Sequence, residues 1–257
     1  MTSTGGRDFD GKVVFLTGSA NGIGRATAVA FGRAGARLAL VDIDDAANAE
    51  TAQLVKDSGA DALALHGDVT DERDVRSVVG RTVEHFGALD VAFNNVGRDQ
   101  KVGPLADTTA EEWRAILEIN VTSTFLCMRH EIPIMLAAGG GIIVNTSSGA
   151  GVIGIKGTAA YATAKHAVIG LTRSAALDYA DRNIRINAVC PGIIETGMML
   201  RVSGGTAEGR AAMIAEEPIG RLGQPEEIAS AVLWLASPGA TFALGHALVV
   251  DGGHTIH

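Results

Sequence analysis

Tyr161 and Lys165 bracket the run Tyr161-Ala162-Thr163-Ala164-Lys165. On a helix that spacing puts a phenol and an ammonium on one face. A free phenol titrates near pH 10. A cation about 4 Å away, at an effective dielectric near 20, is worth at most about 4 kcal/mol, or about three pK units. A phenolate so supported can take the proton of an alcohol. Tyrosine is scarce, with 2 in the chain. Upstream, after the run GGIIVNT, come Ser147 and Ser148, and a hydroxyl there can hydrogen-bond a substrate oxygen as charge develops on it. Asn120 lies in the long helical segment before them. A lone Tyr-x-x-x-Lys is more often a surface pair than a site, so the meaning of these residues depends on what surrounds them.

A second kind of chemistry sits near the N-terminus, in Thr17-Gly18-Ser19-Ala20-Asn21-Gly22-Ile23-Gly24. Glycines let backbone approach a pyrophosphate, and a following helix offers free N–H groups and the positive end of its dipole. The Gly-x-x-x-Gly-x-Gly spacing differs from the usual dinucleotide fingerprint, and any tight turn also favours glycine. The next strand-like run ends in Asp42. Its carboxylate can accept from both hydroxyls of an adenine ribose and would repel a 2′-phosphate. No Lys or Arg follows it, and Asn21 stands where a basic residue would help hold that phosphate. NAD is therefore favoured over NADP, unless Asp42 merely caps its turn. Asp68-Val69 and Asn94-Asn95-Val96-Gly97 end two further strand-like runs, with Asp68 in reach of an adenine amino group.

The elements that must position these groups alternate strictly. Short aliphatic runs at 12–17, 37–42, 62–67, 89–94, 141–146, 184–189 and 247–250 read as strands covered on both faces. Helical patterns fill 22–35, 45–58, 71–86, 111–137, 158–180 and 225–236, with Pro133 expected to kink or end the fourth. This alternation predicts one α/β domain over residues 1–257, a single Rossmann-type doubly wound parallel sheet with helices on both faces. Residues 196–218 break the rhythm with a Met-rich stretch, a weak helix near 207–214 and the hinge candidates Gly204 and Gly205. A loop of that length reads as a substrate lid.

Composition narrows the partners. Asp and Glu number 29 against 21 Lys and Arg, for a formal charge of −8, and no basic stripe offers itself to nucleic acid. Cys127 and Cys190 are the 2 cysteines, too few for a disulfide framework or a cysteine-rich zinc site. They fit a reducing cytoplasm. The first residues carry no apolar signal-peptide core, and no run is long enough to span a bilayer. The 7 histidines show no ligand spacing, so no metal site is expected. His254 and His257 read as a surface tail, and Arg98, Asp99 and Gln100 as solvent-exposed.

Together these motifs resemble the short-chain dehydrogenase/reductase family over nearly the whole chain, from Gly11-Lys12 to Asp251-Gly252-Gly253. The match rests on TGSANGIG, GDV, NNVG, the Asn of EINV, the Ser of NTSSGAG, YATAK and CPGIIET. The resemblance implies that Gly18, Gly22, Ile23 and Gly24 cradle the pyrophosphate, with Asn21 in the same turn. By the same resemblance Asp42 holds the ribose, Asp68 and Val69 the adenine, and Asn94 and Gly97 line the cofactor side of the sheet. Thr196, following Pro191 and Gly192 and helped by Ile194, would hold the nicotinamide carboxamide. Asn120, Ser148, Tyr161 and Lys165 form the implied catalytic set, and the family spacing selects Ser148 over Ser147. Tyr161 and Lys165 also touch the cofactor. A seven-stranded sheet and a homotetramer or dimer, joined through the helices bearing Asn120 and Tyr161, are implied too. The family's usual NNAG is NNVG here, so Val96 makes a bulkier wall.

The expected reaction is NAD-dependent interconversion of a secondary alcohol and a ketone, with Tyr161 as acid and base. The Met-rich lid suggests an apolar or cyclic skeleton. Competing readings are an NADP-linked 3-ketoacyl-type reductase and a non-catalytic nucleotide sensor on the same scaffold. Enoyl reduction is disfavoured, because those relatives space Tyr and Lys farther apart.

Overall fold

The computed structural model describes residues 8–256; the first seven residues and His257 lie outside it, and with them the expectations placed on the extreme N-terminus and on His257. The chain alternates β1 (Val13–Thr17), α1 (Gly22–Arg33), β2 (Arg37–Asp42), α2 (Asp45–Asp57), β3 (Ala62–His66), α3 (Glu72–Phe86) and β4 (Val91–Asn94). There follow α4 (Ala110–Leu117), α5 (Ser123–Ala137), β5 (Gly141–Thr146), α6 (Ala159–Tyr179) and β6 (Ile184–Pro191). The last elements are α7 (Gly197–Val202), α8 (Ala207–Ala215), α9 (Pro225–Ala236) and β7 (Ala247–Val250).

The seven strands form one parallel sheet, as expected, and their order is β3-β2-β1-β4-β5-β6-β7. Strand alternation divides the core in two. Val13, Phe15, Ala39 and Val41 face a cluster completed by Val78 of α3, Met135 of α5 and Ala176 of α6. Val14, Leu16, Leu38 and Leu40 face the other way, onto Phe31 of α1, Val55 of α2 and Val232 of α9. Both faces are dry, which is why β1 is apolar at almost every position. The strand order reverses at β1 and β4, and a crevice opens there at the carboxyl ends, the usual place for a ligand in such sheets.

Two helical expectations need correction. The segment predicted as one helix over 111–137 is α4, then a π-helical turn at Glu118–Thr122, then α5. Its buried positions Ile116, Asn120 and Thr124 keep a spacing of four through the turn, so the periodicity hides the break. Pro133 does not end α5, which runs on to Ala137. The Arg129 carbonyl that Pro133 frees belongs to an exposed stretch where water can satisfy it. Within residues 196–218 the Met-rich stretch is itself helical as α7, and Gly204 and Gly205 turn the chain into α8 with φ of +66° and +68°. An isolated parallel bridge between Ile194 and Gly223 closes the base of this excursion. Among the described residues no helix is long and apolar enough to cross a membrane.

Candidate active site

The glycine turn leaves the end of β1 between two neighbours. Gly18 has φ +67°, and a Cβ there would lie 3.0 Å from Asn95 Nδ2. A Cβ on Gly24 would run into the Gly18 carbonyl. Asn21, at the N-cap of α1, makes no side-chain cap, and the first turn of α1 carries no acid. By contrast Asp44 caps α2 and Asp71 caps α3. The start of α1 is thus left without the internal anion that its neighbours possess, which fits a pyrophosphate. Thr196 stands against this turn: a Cβ on Gly22 would meet its methyl at 3.1 Å. Pro191 ends β6, Gly192 is pressed against Asp251, and Ile194 is buried beneath Thr196 in sequence.

Asp42 is half-buried. Its Oδ2 accepts from the Ala20 N–H at 2.9 Å and its Oδ1 from the Asp44 N–H at 3.0 Å. It does cap its turn, and it also fastens the glycine turn to β2, while each oxygen keeps acceptor capacity for a ribose hydroxyl. Asp68 is exposed and closes its own turn through Thr70, and Val69 is buried beside it. Asn94 departs from expectation. Its side chain turns into the core, donating to Glu131 and to Asn145 at 3.1 Å each. Period-two alternation hands the edge role to Asn95. Asn95 donates from its backbone to Thr17 Oγ1 and from Nδ2 to the Gly18 carbonyl, and its Oδ1 accepts from Thr146.

The four catalytic candidates converge where β4 and β5 end. The π-helical turn carries Asn120, whose Nδ2 donates to the Ile116 and Arg98 carbonyls at 2.9 Å. Its Oδ1 accepts from the Arg98 N–H at 3.2 Å. Gly97 separates Asn120 from Lys165: a Cβ there would lie 2.8 Å from Asn120 Oδ1 and 3.0 Å from Lys165 Nζ. Lys165 is 2% exposed and donates to the Thr146 carbonyl at 3.0 Å. Its ammonium stands 5.6 Å from the centre of the Tyr161 ring. Ser148 accepts from the Ala150 N–H at 3.2 Å, and its hydroxyl favours the ionised form of the Tyr161 phenol. Ser147 is buried and donates instead to the Lys165 carbonyl at 2.8 Å. The two serines therefore face different partners.

Burial sets the electrostatics. It holds Lys165 down to about 8. It pushes the Tyr161 phenol up, against the Ser148 hydrogen bond and with help from the Asp99 carboxylate. The expected fall in Tyr161 is not produced by the chain's own charges, because desolvation outweighs a lysine at this distance.

The excursion that follows β6 is tied by polar contacts. Arg210 of α8 grips Glu195 at 2.9 Å, and Arg201 of α7 stands 3.8 Å from Asp99 across the cleft. Met198 and Met199 are half-buried and Leu200 is exposed. Two expected surface residues are in fact buried: Gln100 at 7% exposure and His254 at 8%, the latter 3.6 Å from the Glu217 carboxylate. Among the described residues no group of His, Cys, Asp and Glu could hold a metal ion.

Comparison with known proteins agrees with this geometry. A family described as enoyl-(acyl carrier protein) reductase matches residues 18–255. Cyclohexanol dehydrogenase of Acinetobacter sp. (strain SE19) is 42% identical over 251 residues, covering 96% of each chain. The chain belongs to the short-chain dehydrogenase/reductase family. 2,5-Dichloro-2,5-cyclohexadiene-1,4-diol dehydrogenase of Sphingobium indicum is 43% identical, over 96% of this chain and 98% of its own. The crystal structure of levodione reductase superposes with a TM-score of 0.93 at 37% identity, over 96% of this chain and 98% of that one. As a short-chain dehydrogenase/reductase the protein is an oxidoreductase of a family that binds NAD(P).

Proposed function

We propose that the protein interconverts a secondary alcohol on a ring and the corresponding ketone, with NAD as the redox partner. The observation that carries this reading is the gathering of Ser148, Tyr161 and Lys165 beside the uncapped start of α1. NAD held there would supply the hydride acceptor or donor for the carbinol carbon. The backbone of Gly18, Gly22, Ile23 and Gly24 faces the pyrophosphate. Asp42 accepts from the ribose hydroxyls and repels a 2′-phosphate, which favours NAD over NADP. Thr196 lies against the glycine turn, where it can bind the carboxamide.

Ser148 donates to the substrate oxygen and orients it toward Tyr161. Tyr161 takes the hydroxyl proton during oxidation and returns it during reduction. Lys165 stabilises the phenolate, and the positive ring of an oxidised nicotinamide would add the further charge that burial otherwise denies. Asn120 holds the Arg98 segment so that Gly97 leaves room around the ammonium. Relatives named for cyclohexanol and a cyclohexadiene diol, together with the methionines of α7, support a cyclic, mainly apolar substrate beneath a lid at 196–218. Free, buried Cys127 and Cys190 suit a cytoplasmic protein. Phe125 of α5 and Leu177 of α6, 43% and 76% exposed, support assembly of a dimer or tetramer through those helices.

NADH fluorescence measured against a panel of cyclic and linear secondary alcohols, with NAD and NADP in parallel, tests the proposal. Turnover of cyclic alcohols with NAD is expected. Preference for NADP with a ketoacyl thioester would point to the ketoacyl-type reductase, and nucleotide binding without turnover to a sensor.

A further inference from the structure

The catalytic helix begins without a cap of its own. Thr158 occupies the N-cap of α6, yet its hydroxyl donates backward to the Ile155 carbonyl at 3.0 Å and makes no cap bond. The first turn of a helix leaves backbone N–H groups without intrahelical partners, and one of those on α6 belongs to Tyr161. That N–H donates to Gln100 Oε1 at 2.7 Å. Gln100 comes from the loop after β4, sixty-one positions earlier in the chain, and its side chain is almost wholly buried.

The same amide grips the other side of the helix start. Gln100 Nε2 donates to the Gly157 carbonyl at 3.3 Å and to the Lys101 carbonyl at 3.4 Å. The Gly103 N–H also donates to the Gly157 carbonyl, at 3.0 Å. Gly157 has φ +81°, and a Cβ on it would press on the Val102 side chain at 2.8 Å. The loop is pinned at its other end by Asn120, which holds both the N–H and the carbonyl of Arg98. One short loop thus connects Asn120, the gap at Gly97 and the backbone of Tyr161.

We infer that Gln100 is a positioning residue for Tyr161: it caps α6 from a distant loop and fixes the phenol relative to Ser148 and Lys165. The Tyr161 N–H requires an acceptor, which Gln100 supplies through Oε1 at 2.7 Å, and the donation from Nε2 to the Gly157 carbonyl at 3.3 Å is a second, longer tie. Asparagine is one methylene too short to reach both. The inference rests on Tyr161 being the acid and base.

Two variants test it, each assayed with NAD and a turned-over alcohol beside Tyr161→Phe. Gln100→Met keeps the shape and removes every hydrogen bond; kcat is expected to fall about ten- to a hundredfold, with the NADH dissociation constant unchanged. Gln100→Glu keeps the acceptor for the Tyr161 N–H. It is expected to recover kcat to within about threefold on its pH plateau, since the retained cap bond preserves the placement. It should also move the rise of the kcat profile to higher pH, since a carboxylate near the phenol opposes its ionisation. A merely structural role would lower both variants together and weaken NADH binding along with kcat. The inference is overturned by wild-type kcat in Gln100→Met, or by a Gln100→Glu enzyme with no recovery of kcat. If Gln100→Met does not fold, kcat of Gln100→Glu decides: a value within about threefold of wild type supports the cap, and a loss of about a hundredfold overturns it. Turnover by Tyr161→Phe would instead remove the acid–base reading on which the inference stands.

Discussion

Lys165 and Glu131 are both buried ionisable groups, one at the mouth of the crevice and the other in the polar cluster behind it. Desolvation moves both to about the same value, Lys165 down to about 8 and Glu131 up to about 8. Their surroundings differ. Lys165 borders the gap that Gly97 keeps open, at the strand ends where a ligand arrives. Glu131 is enclosed on α5, held by Asn94, which in turn meets Asn145, itself bonded to Thr172 and Met128. A perturbed titration therefore marks burial in both places, and only access turns it into chemistry. The cluster uses a carboxyl kept neutral near pH 7 to tie α5, β4, β5 and α6 together.

This contrast can be broken at either end. Tyr161→Phe, on the crevice side, should lower turnover about 10³-fold, within the range for a lost acid–base group, with NADH binding by fluorescence nearly unchanged. Gly97→Ala puts a methyl between Asn120 and Lys165 and should cost about 10²-fold in kcat, as small misplacements at a reacting centre do. Asp42→Arg should move the ratio of kcat/KM for NAD and NADP at least about tenfold toward NADP, about 1.4 kcal/mol. An unchanged ratio would leave Asp42 as a turn cap alone.

Glu131→Gln addresses the cluster. Its folded value lies above the ordinary 4.5, so wild-type stability falls as pH rises from about 4.5 and levels off above about 8. Glutamine escapes that loss. The variant should match wild type near pH 4 and exceed it at pH 9, by about 5 kcal/mol at most, with turnover within about twofold. A collapse in turnover would make the cluster a second functional centre. Smallest of all, Arg210→Ala removes an exposed ion pair of the lid, worth about 0.2–1 kcal/mol, and should raise KM slightly at low salt and not at all at high salt.

The sheet was legible because both faces of its central strands are dry, so those strands announce themselves as aliphatic runs. The glycine turn, Ser148, Tyr161 and Lys165 were legible because their chemistry demands particular residues at particular spacings. The π-helical turn under Asn120 was not, since the buried positions Ile116, Asn120 and Thr124 keep a helical spacing across it. Asn94 and Asn95 look alike in the chain, and only the pleat decides which side chain meets the glycine turn. Gln100 was hidden by its setting, for the charged run Arg98-Asp99-Gln100-Lys101 reads as surface, while a long-range cap has no local signature. The upward push on Tyr161 was missed because spacing reports a neighbouring cation and says nothing of lost water.

The crevice between β1 and β4 also has a place in time. Val14 pairs with Leu38 of β2 twenty-four positions on, and with Val91 of β4 seventy-seven positions on. Closing the longer loop costs about 1 kcal/mol more in chain entropy, and contacts so distant form late during folding. The Asn95–Gly18 bond that completes the glycine turn spans the same distance. The nucleotide cradle is accordingly assembled by the joining of two halves of the chain, one ending after α3 and the other beginning at β4. A nucleotide at a hundred times its dissociation constant would add about 2.7 kcal/mol to the joined state. The cofactor then acts as a clasp, so that loss of nucleotide and separation of the halves become one coupled event during unfolding.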